Sequence, residues 1–520
     1  MTIHDLGVVG LGTMGAGVLQ LFASSGRPVV AYGRTKDSIS KARATVSTSL
    51  DKLVAKGRLT QADADASLAR ITFTTHLDDL ADVDLVLEAT PEIFAVKRSM
   101  LASLCEVTRQ HTILATNTSG LSVTELAAST DRPGNVVGMH FFNPATVLKL
   151  VEVVRTSEAS DEAVDTVKQL ALDLGKRPVV VEDRAGFVAN HLLFGYLNRA
   201  GELLARGAGT MHDIDVAMRM GAGLPMGPFA LMDLIGLDVC QEILTRLSDA
   251  TDLSCDVTRA QLATLVAAGR TGRKAGAGYL QHTAGGAATP PTREDTRTIH
   301  IVGSGAERAL PWAHAVAETV YEVEAGAEHL PSSDGDVLVV GADEVNSLPD
   351  GLKAAAVIVL DAPNARTAAS ATRSWETTVR GVLHAPTPHG QLLEVGTTTL
   401  TAERAQTRLR SLQGEGAGCA VALDSPGIIV GSLQLPLLND ATSMVQSGYA
   451  TEEDVDTAMV YGCGYPAGPF ATIARLTPAR VATHLEALAR AEGQARLQPT
   501  SYLLDRAAAE ADGHSSPTTH

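Results

Sequence analysis

The chain carries one helical segment twice, and this duplication limits the folds open to it. Three residues of the first copy recur 241 positions later, which gives the pairs Asp183 and Asp424, Asp213 and Asp454, and Pro228 and Pro469. A constant offset indicates duplication without insertions, so both copies are predicted to be helical domains of one architecture. At 520 residues the chain is also too long for one ordinary core, which fits several domains.

The start of the chain is a short apolar strand that runs into a glycine-rich turn. Gly10, Gly12 and Gly15 follow the strand with the spacing G-x-G-x-x-G, and a helical pattern begins at once. In such a turn the first glycine reverses the chain, the second admits a pyrophosphate to the backbone, and the third allows helix and strand to pack closely. We therefore predict a dinucleotide-binding sheet here, with Thr13 and Met14 as further cofactor contacts.

The second predicted strand, Pro28 to Tyr32, ends without the acidic residue that grips an adenosine ribose in NAD-binding proteins. Gly33 and Arg34 stand there instead. The missing carboxylate removes repulsion toward a 2′-phosphate, and a guanidinium pairs well with that group. NADP is therefore favoured over NAD. The alternative is that Arg34 stacks on the adenine or points into water.

A long helical pattern from Ser38 to Arg70 follows as an excursion from the sheet. Ser49 and Lys56 are seven residues apart in it, two helical turns, and so share a face. They are candidates for binding a phosphorylated substrate tail, and a solvated helix face is the alternative.

Two further buried-strand patterns, Val83 to Ala89 and Thr112 to Thr116, each lead into polar residues. In a parallel sheet these residues fall at the ligand crevice beyond the strand ends. The side chains expected there are Glu92, Lys97, Asn117 and Ser119. An Asn-Thr-Ser run is also an ordinary helix cap, which is the competing interpretation.

A predicted hairpin brings a histidine and a glutamate face to face. One strand ends at His140, a turn carries Asn143 and Pro144, and a return strand runs from Val147 to Val154. A turn symmetric about Thr146 places His140 opposite Glu152. The carboxylate would then orient the imidazole and leave its other nitrogen free to take a proton from an alcohol. A structural histidine beside a surface glutamate is the alternative.

After Glu152 the pattern changes to helices. Asn190 stands in the first turn of a long helix, from where its amide could reach a cleft, and Lys274 follows in a glycine-rich segment. We predict an α/β chain with a Rossmann-type doubly wound sheet, an all-helical domain, a degenerate Rossmann-like segment and a second helical copy. The predicted segments are 1–182, 183–282, a linker at 283–297, 298–420, 421–506 and a flexible tail at 507–520.

The second half is predicted to be structural. Its glycine-rich start, after Val302, has Arg308 at the third glycine position, where it would crowd a pyrophosphate. His384 and Glu394 resemble the hairpin pair, but they are ten residues apart rather than twelve. Gly431 stands where the first copy has Asn190.

Composition excludes several classes of protein. A net charge of −17 argues against a nucleic-acid groove or an anionic membrane surface. The five cysteines form no CxxC pair, which disfavours a metal site or a disulfide framework. No leader and no apolar run of membrane-spanning length is recognised, so a cytoplasmic location is expected.

Together these motifs resemble the 3-hydroxyacyl-CoA dehydrogenase family, in particular its long bacterial form with a duplicated C-terminal domain. The resemblance is good over residues 3–280, moderate over 420–505 and poor between them. It implies oxidation of an (S)-3-hydroxyacyl-CoA to the 3-oxoacyl-CoA with a nicotinamide cofactor. It also implies either a monomer that contains an internal pseudo-dimer or a homodimer, because short family members pair their helical domains.

The resemblance assigns roles to the candidate residues. His140 would be the general base and Glu152 its orienting partner, while Ser119 and Asn190 would hold the substrate oxygen and thioester. The positions expected to line the cofactor are Glu92, Lys97, Asn117, Asn143 and Lys274, and those expected to touch CoA are Ser49 and Lys56.

The chain departs from the family pattern at two places. Gly33-Arg34 replaces the usual acidic residue, and His191 follows Asn190 where an arginine is usual. Two other functions stay open from the sequence. One is a dehydrogenase of a free hydroxy acid or sugar acid on the same fold, and the other is a non-catalytic dinucleotide-binding scaffold.

Overall fold

The computed structural model describes most of the chain, namely residues 3–282, 298–303, 306–317, 319–323, 330–331, 335–345, 348, 354–362, 364–372 and 376–511. The predicted linker at 283–297 lies outside these residues. The chain divides into two compact units. The first contains residues 1–192, 249–252 and 444–471, and the second contains 193–248, 253–443 and 472–520.

The first unit is built on an eight-stranded sheet with the order β3-β2-β1-β4-β5-β6-β7-β8. Neighbouring strands are parallel except for the antiparallel pair of β6 and β7. In chain order the strands are β1 (Leu6–Val9), β2 (Val29–Tyr32), β3 (Ile71–Thr74), β4 (Leu85–Glu88), β5 (Ile113–Thr116), β6 (Val136–Phe141), β7 (Leu150–Arg155) and β8 (Arg177–Glu182).

The central strands are short aliphatic runs whose side chains are buried on both faces, as helix-covered parallel strands require. The helices that accompany this sheet are α1 (Thr13–Ser24), α2 (Lys36–Ala55), α3 (Gln61–Ala69), α4 (Phe94–Val107), α5 (Val123–Ala128) and α6 (Asp161–Asp173). The Rossmann-type sheet predicted from the sequence is confirmed. The helical excursion predicted from Ser38 to Arg70 is confirmed, and it consists of two helices, α2 and α3.

The second unit is built on a seven-stranded sheet with the order β10-β9-β11-β12-β13-β14-β15. The strands are β9 (Thr298–Val302), β10 (Thr319–Val323), β11 (Val337–Gly341), β12 (Ala356–Leu360), β13 (Thr378–Leu383), β14 (Gln391–Thr397) and β15 (Ala417–Leu423). Again one antiparallel pair, β13 and β14, interrupts a parallel sheet. This is the predicted Rossmann-like segment.

The remaining helices belong largely to the two helical copies. They are α7 (Ala189–Ala205), α8 (Met211–Val216), α9 (Pro228–Ile235), α10 (Leu237–Ala250), α11 (Asp256–Ala267), α12 (Leu310–Val316), α13 (Ala365–Thr372), α14 (Glu403–Arg410), α15 (Val430–Gln446), α16 (Glu452–Cys463), α17 (Pro469–Leu476), α18 (Pro478–Glu492) and α19 (Ser501–Ala511). Residues 217–221 form a π-helical turn, and 3-10 turns cover 77–80, 133–135, 273–275, 307–309 and 495–497.

Matching hydrogen bonds confirm the predicted duplication. Asp215 accepts the amide hydrogens of Phe229 and Ala230 at 2.9 and 3.1 Å, which caps α9. Asp456 makes the same two bonds to Phe470 and Ala471 at 2.7 and 3.0 Å, which caps α17. A carboxylate at a helix N-terminus is favoured by the free amides and by the helix dipole, so each copy keeps the same cap.

Part of the second helical copy packs within the first unit. Helix α16 contacts β7 and β8, and the guanidinium of Arg177 on β8 lies 5.8 Å from the ring centroid of Tyr461. Arg184 lies 4.4 Å from the ring centroid of Tyr449 in the same way. The duplicated segment therefore supports the first sheet directly.

Two predicted boundaries differ from the structure. The return strand of the hairpin begins at Leu150 rather than at Val147, because residues 144–148 form a turn. The tail expected from residue 507 is helical as far as Ala511, since Arg506-Ala-Ala-Ala-Glu continues α19 with strong helix formers. Residues 512–520 lie outside the described part.

Over the described residues no helix is long and apolar enough to cross a bilayer. Within the same ranges no cluster of three or more His, Cys, Asp or Glu side chains is arranged to hold a metal ion. All five cysteines are free thiols.

Candidate active site

The hairpin of β6 and β7 pairs His140 with Glu152, as the symmetric turn predicted. His140 Nδ1 lies 2.8 Å from Glu152 Oε2. Glu152 is fully buried and His140 is only 4% exposed, so both side chains are held in a dry setting. A bond of this length to a buried carboxylate fixes the imidazole tautomer and the plane of the ring.

The second carboxylate oxygen of Glu152 accepts hydrogen bonds from a helix N-terminus. Oε1 accepts the amide hydrogens of Val188 and Ala189 at 3.0 and 2.9 Å and so caps the start of α7. Phe187, just before these amides, has a positive φ of 48°. Glu152 therefore fastens the first turn of α7 to the hairpin. No local pattern predicts this contact, because Glu152 and Val188 are 36 residues apart.

Two aromatic rings enclose the imidazole. The ring centroids of Phe142 and Phe187 lie 4.5 and 5.5 Å from that of His140. Among the described residues His140 Nε2 has no hydrogen-bond partner. The arrangement leaves one nitrogen of an oriented imidazole available to exchange a proton.

The loops after β4 and β5 are tied together beside the hairpin. Glu92 Oε1 accepts the Ser119 amide hydrogen at 2.9 Å and the Thr118 hydroxyl at 2.7 Å. Asn117 Oδ1 accepts the Phe141 amide hydrogen at 2.9 Å, which joins the end of β5 to the end of β6. Three residues predicted from the strand ends thus lie in one network at the carboxyl edge of the sheet.

Lys97 belongs to the same edge and is completely buried. Its ammonium lies 3.0 Å from Glu88 Oε2 and 3.6 Å from Glu92 Oε2. Glu88 is also fully buried and accepts hydrogen bonds from Thr90 and Thr116. The sequence analysis missed the role of Glu88, although a carboxylate at the end of an apolar strand was a usable signal.

The glycine-rich turn fits a dinucleotide. A β-carbon on Gly10 would lie 2.5 Å from the Ala89 carbonyl, and one on Gly15 would lie 1.8 Å from Gly10 O. A β-carbon on Gly12 would meet nothing within 4 Å, so the turn is open on that side. Helix α1 begins at Thr13 without a side-chain cap, and the amides of such an uncapped N-terminus suit a pyrophosphate. Met14 is the second residue of α1.

The end of β2 has no room for a side chain at residue 33. A β-carbon on Gly33 would lie 2.8 Å from both Ile39 Cγ1 and Ser38 Oγ. Arg34 is exposed, and the described residues offer its guanidinium no hydrogen bond or ion pair. Thr35 caps α2 next to it through a capping box with Ser38.

Asn190 and Asn143 are two further predicted site residues, which lie in α7 and in the hairpin turn. Asn190 is the second residue of α7, 8% exposed, directly after the amides that Glu152 binds. Burial lowers the pKa of the next residue, His191. Asn143 is exposed in the hairpin turn, and its peptide bond to Pro144 is cis.

The predicted CoA contacts and Lys274 each have their own surroundings. Ser49 is half-buried in α2 and Lys56 is exposed at its end, and no described hydrogen bond joins either to the pair. Lys274 belongs to the second unit, where its ammonium lies 2.6 Å from Asp238. Their roles stay predictions.

A site of this kind combines a cradle for a dinucleotide with an oriented imidazole. Both lie at the carboxyl edge of one sheet, where ligands of doubly wound folds bind. Such a pair suits proton transfer coupled to hydride transfer.

Comparisons with known proteins agree with this chemistry. Residues 5–184 match the family described as "3-hydroxyacyl-CoA dehydrogenase, NAD binding domain". Residues 186–282 and again 427–517 match "3-hydroxyacyl-CoA dehydrogenase, C-terminal domain". The second match covers the duplicated segment.

Relatives match either nearly the whole chain or its first half. The 3-hydroxyadipyl-CoA dehydrogenase of Escherichia coli is 31% identical over 98% of this chain and 98% of its own length. The 3-hydroxybutyryl-CoA dehydrogenase of Clostridioides difficile is 42% identical over 53% of this chain and 99% of its own. A crystal structure of 3-hydroxybutyryl-CoA dehydrogenase from Escherichia coli superposes with a TM-score of 0.78 and 29% identity, and the alignment covers 99% and 100% of the two chains. The chain belongs to the 3-hydroxyacyl-CoA dehydrogenase family.

Proposed function

We propose that the protein interconverts (S)-3-hydroxyacyl-CoA and 3-oxoacyl-CoA, with His140 as the general base. The observation that carries this proposal is the 2.8 Å bond between His140 Nδ1 and the buried Glu152, which leaves Nε2 free. The names of the relatives, 3-hydroxybutyryl-CoA and 3-hydroxyadipyl-CoA dehydrogenase, support the substrate class.

In the oxidising direction His140 Nε2 takes the proton of the 3-hydroxyl group while the hydrogen on C3 leaves as hydride. The two electrons of the C3–H bond depart with the hydride, and those of the O–H bond complete the new carbonyl. Glu152 stabilises the imidazolium that forms, because its carboxylate is already in place and needs no reorganisation. The nicotinamide, when bound, supplies the hydride acceptor.

The remaining residues hold the reactants. Ser119 and Asn190 are proposed to bind the substrate oxygen and the thioester, and both stand beside groups that are fastened to the sheet by Glu92 and Glu152. Ser49 and Lys56 are proposed CoA contacts on α2. The rigid attachment matters because small displacements of a reacting group cost large factors in rate.

The direct test is the initial rate of acetoacetyl-CoA reduction, compared with that of free acetoacetate under the same conditions. We expect turnover of the CoA ester and none of the free acid. Turnover of the free acid alone would move the assignment to a hydroxy-acid dehydrogenase, and no turnover of either would favour a non-catalytic dinucleotide-binding protein.

We further propose that NADP is preferred to NAD. Gly33 leaves no carboxylate to repel a 2′-phosphate, and Arg34 stands exposed and without a described partner at the start of α2. The N-terminus of α2 adds free amides and a favourable dipole for the same anion.

The variant Arg34→Gln is expected to lower kcat/KM for NADPH by about 10- to 100-fold, the worth of one charge-assisted hydrogen bond. The value for NADH should stay within about twofold, because NADH carries no 2′-phosphate. Parallel steady-state kinetics with both cofactors at saturating acetoacetyl-CoA measure the effect.

Arg109→Gln is a matched control. Arg109 is an exposed arginine that pairs with Asp82. It precedes β5 and so lies near the amino end of that strand, away from the carboxyl ends where the cofactor is expected. It should alter neither cofactor's kinetics. A wild-type enzyme that prefers NADH, or an Arg34→Gln variant with unchanged NADPH kinetics, would contradict the role of Arg34.

A further inference from the structure

The turn that joins the two strands of the catalytic hairpin is held by a buried lysine. In residues 144–148 the amide hydrogens of Val147 and Leu148 both point to Pro144 O, at 2.9 and 3.0 Å. Such a tight turn leaves other carbonyls without a backbone partner, and buried carbonyls must find one. Lys176 supplies it: Nζ donates to Leu148 O at 2.9 Å and to Ala145 O.

Lys176 is itself fixed from both sides. Its amide hydrogen bonds to Ala171 O at 2.9 Å, at the end of α6, and the next residue, Arg177, donates to Lys149 O at 2.7 Å. The side chain is 6% exposed. The backbone of Lys176 is therefore held in place between α6 and β8, and its ammonium extends into the turn.

Burial of the Lys176 ammonium costs free energy of folding. No carboxylate lies within ion-pair distance of it among the described residues, and burial lowers the pKa of Lys176 to about 8. A buried cation without a counter-ion is unfavourable to folding. An apolar side chain of similar size would be less costly to bury. The ammonium at this position therefore indicates a role that needs hydrogen-bond donors.

The turn leads directly into the active site. Phe142, whose ring packs on His140, and Asn143, a predicted cofactor contact, lie between β6 and the segment that Lys176 binds. A turn that loosened would release both residues without changing the His140 and Glu152 pair.

We propose that Lys176 is a positioning residue for the reaction, which holds the 144–148 turn so that Phe142 packs on His140 and Asn143 faces the nicotinamide. The inference rests on the proposed function for its kinetic test. Its structural test is independent of activity.

Among the described residues, the charged groups near Lys176 provide no counter-ion for its ammonium. Asp173 on α6 pairs with Arg27 and accepts a hydrogen bond from Gln169, Arg177 on β8 lies over Tyr461, and Lys149 in the turn is exposed. Deprotonation of Lys176 should therefore weaken the two bonds to the turn, since a neutral amine is a weaker donor than an ammonium.

The first test is Lys176→Met, which keeps the length of the side chain and removes the donors. We expect kcat per folded enzyme to fall by about 10- to 100-fold, the effect of a displaced catalytic group, with KM for acetoacetyl-CoA changed much less. Hydrogen exchange of the Val147 and Leu148 amides should be faster in the variant than in the wild type, with or without substrate.

The second test is Lys176→Arg, which keeps a charge that alkaline pH does not remove. It should recover most of kcat, and the ratio of its kcat to the wild-type value should rise between about pH 7 and about pH 9.5, because only the wild type loses its ammonium there. This comparison also decides the question if Lys176→Met fails to fold.

The outcomes separate the two proposals. Lys176→Met with kcat within about twofold of wild type and unchanged exchange overturns the positioning role, and so does a folded Lys176→Arg variant that recovers none of the lost kcat. A wild type without turnover on acyl-CoA overturns the proposed function instead, and the exchange of the two amides then decides the role of Lys176 alone.

Discussion

The variant His140→Gln is expected to reduce kcat by about two to four decades, the usual cost of losing a general base. Glutamine fills nearly the same volume and its amide can still donate to Glu152, so the cap on α7 and the packing of Phe142 and Phe187 should survive. KM for acetoacetyl-CoA should change little, because in this direction the imidazolium gives its proton to the 3-oxo group mainly in the transition state. Steady-state kinetics with an unchanged thermal melting curve would establish this.

The second half of the chain offers a matched control. His384 Nε2 lies 2.8 Å from Glu394 Oε2, the same length as in the first pair. His384→Gln should leave kcat within about twofold of wild type, since the second sheet has Arg308 where a dinucleotide turn needs glycine. Near-normal activity of His140→Gln would refute His140 as the base, and a large loss in His384→Gln would show that the second half takes part.

The two pairs differ in a way that explains the contrast. In the first sheet His140 faces Glu152 directly, whereas in the second sheet Glu394 faces Val382 and His384 reaches it from two residues further along. Yet Glu394 Oε1 accepts the amide hydrogens of Ile429 and Val430, both at 2.8 Å, and caps α15 as Glu152 caps α7. The shared feature is the helix cap, which indicates that the glutamate is needed for folding in both halves and for orienting a base in one.

The sequence predicted the pairing of His140 and Glu152 because strand residues alternate between faces with a period of two. Once a hairpin turn is located, opposite partners follow from counting. The start of the return strand was predicted wrongly. Val147 has a high strand propensity, but residues 144–148 form the turn that Lys176 binds. The contact with Lys176 lies 28 residues away, beyond the reach of a local pattern.

The break inside the predicted helical excursion had a local signal. Helices α2 and α3 are separated at Gly57, which has a φ of 66°, and Thr60 caps α3 through Asp63. A glycine followed three residues later by a capping threonine is a recognised stop and start. The pattern between Ser38 and Arg70 predicted helical structure but did not place this break.

The contacts among the residues of the crevice had no local signal. Glu88 and Lys97 meet because α4 folds back over the end of β4, and Asn117 joins them because β5 lies next to β4 in the sheet order. Strand order follows from the topology of the whole domain rather than from spacing. The sequence therefore supplied the residues of the crevice but not the network that links them.

That network gives the largest expected effect on stability. Lys97 and Glu88 are both fully buried, with Nζ 3.0 Å from Oε2. In Lys97→Met the Glu88 carboxylate keeps its bonds from Thr90 and Thr116 but loses its counter-ion. A buried pair broken by removal of one partner costs about 3–5 kcal/mol. For a unit of this size the melting temperature should fall by about 6–20 °C, which circular dichroism measures.

Two further variants separate charge from packing. Adding Glu88→Gln to Lys97→Met removes the unpaired charge and should restore about half of the loss or more, as neutral replacements of buried pairs do. Lys41→Met breaks the exposed pair with Asp37, whose side chains are 75% and 72% exposed, and should change stability by less than about 1 kcal/mol. If Lys97→Met were no more destabilising than Lys41→Met, the carboxyl edge would not depend on the buried ion pair. If the double variant were as unstable as the single one, the loss would come from packing rather than from an uncompensated charge.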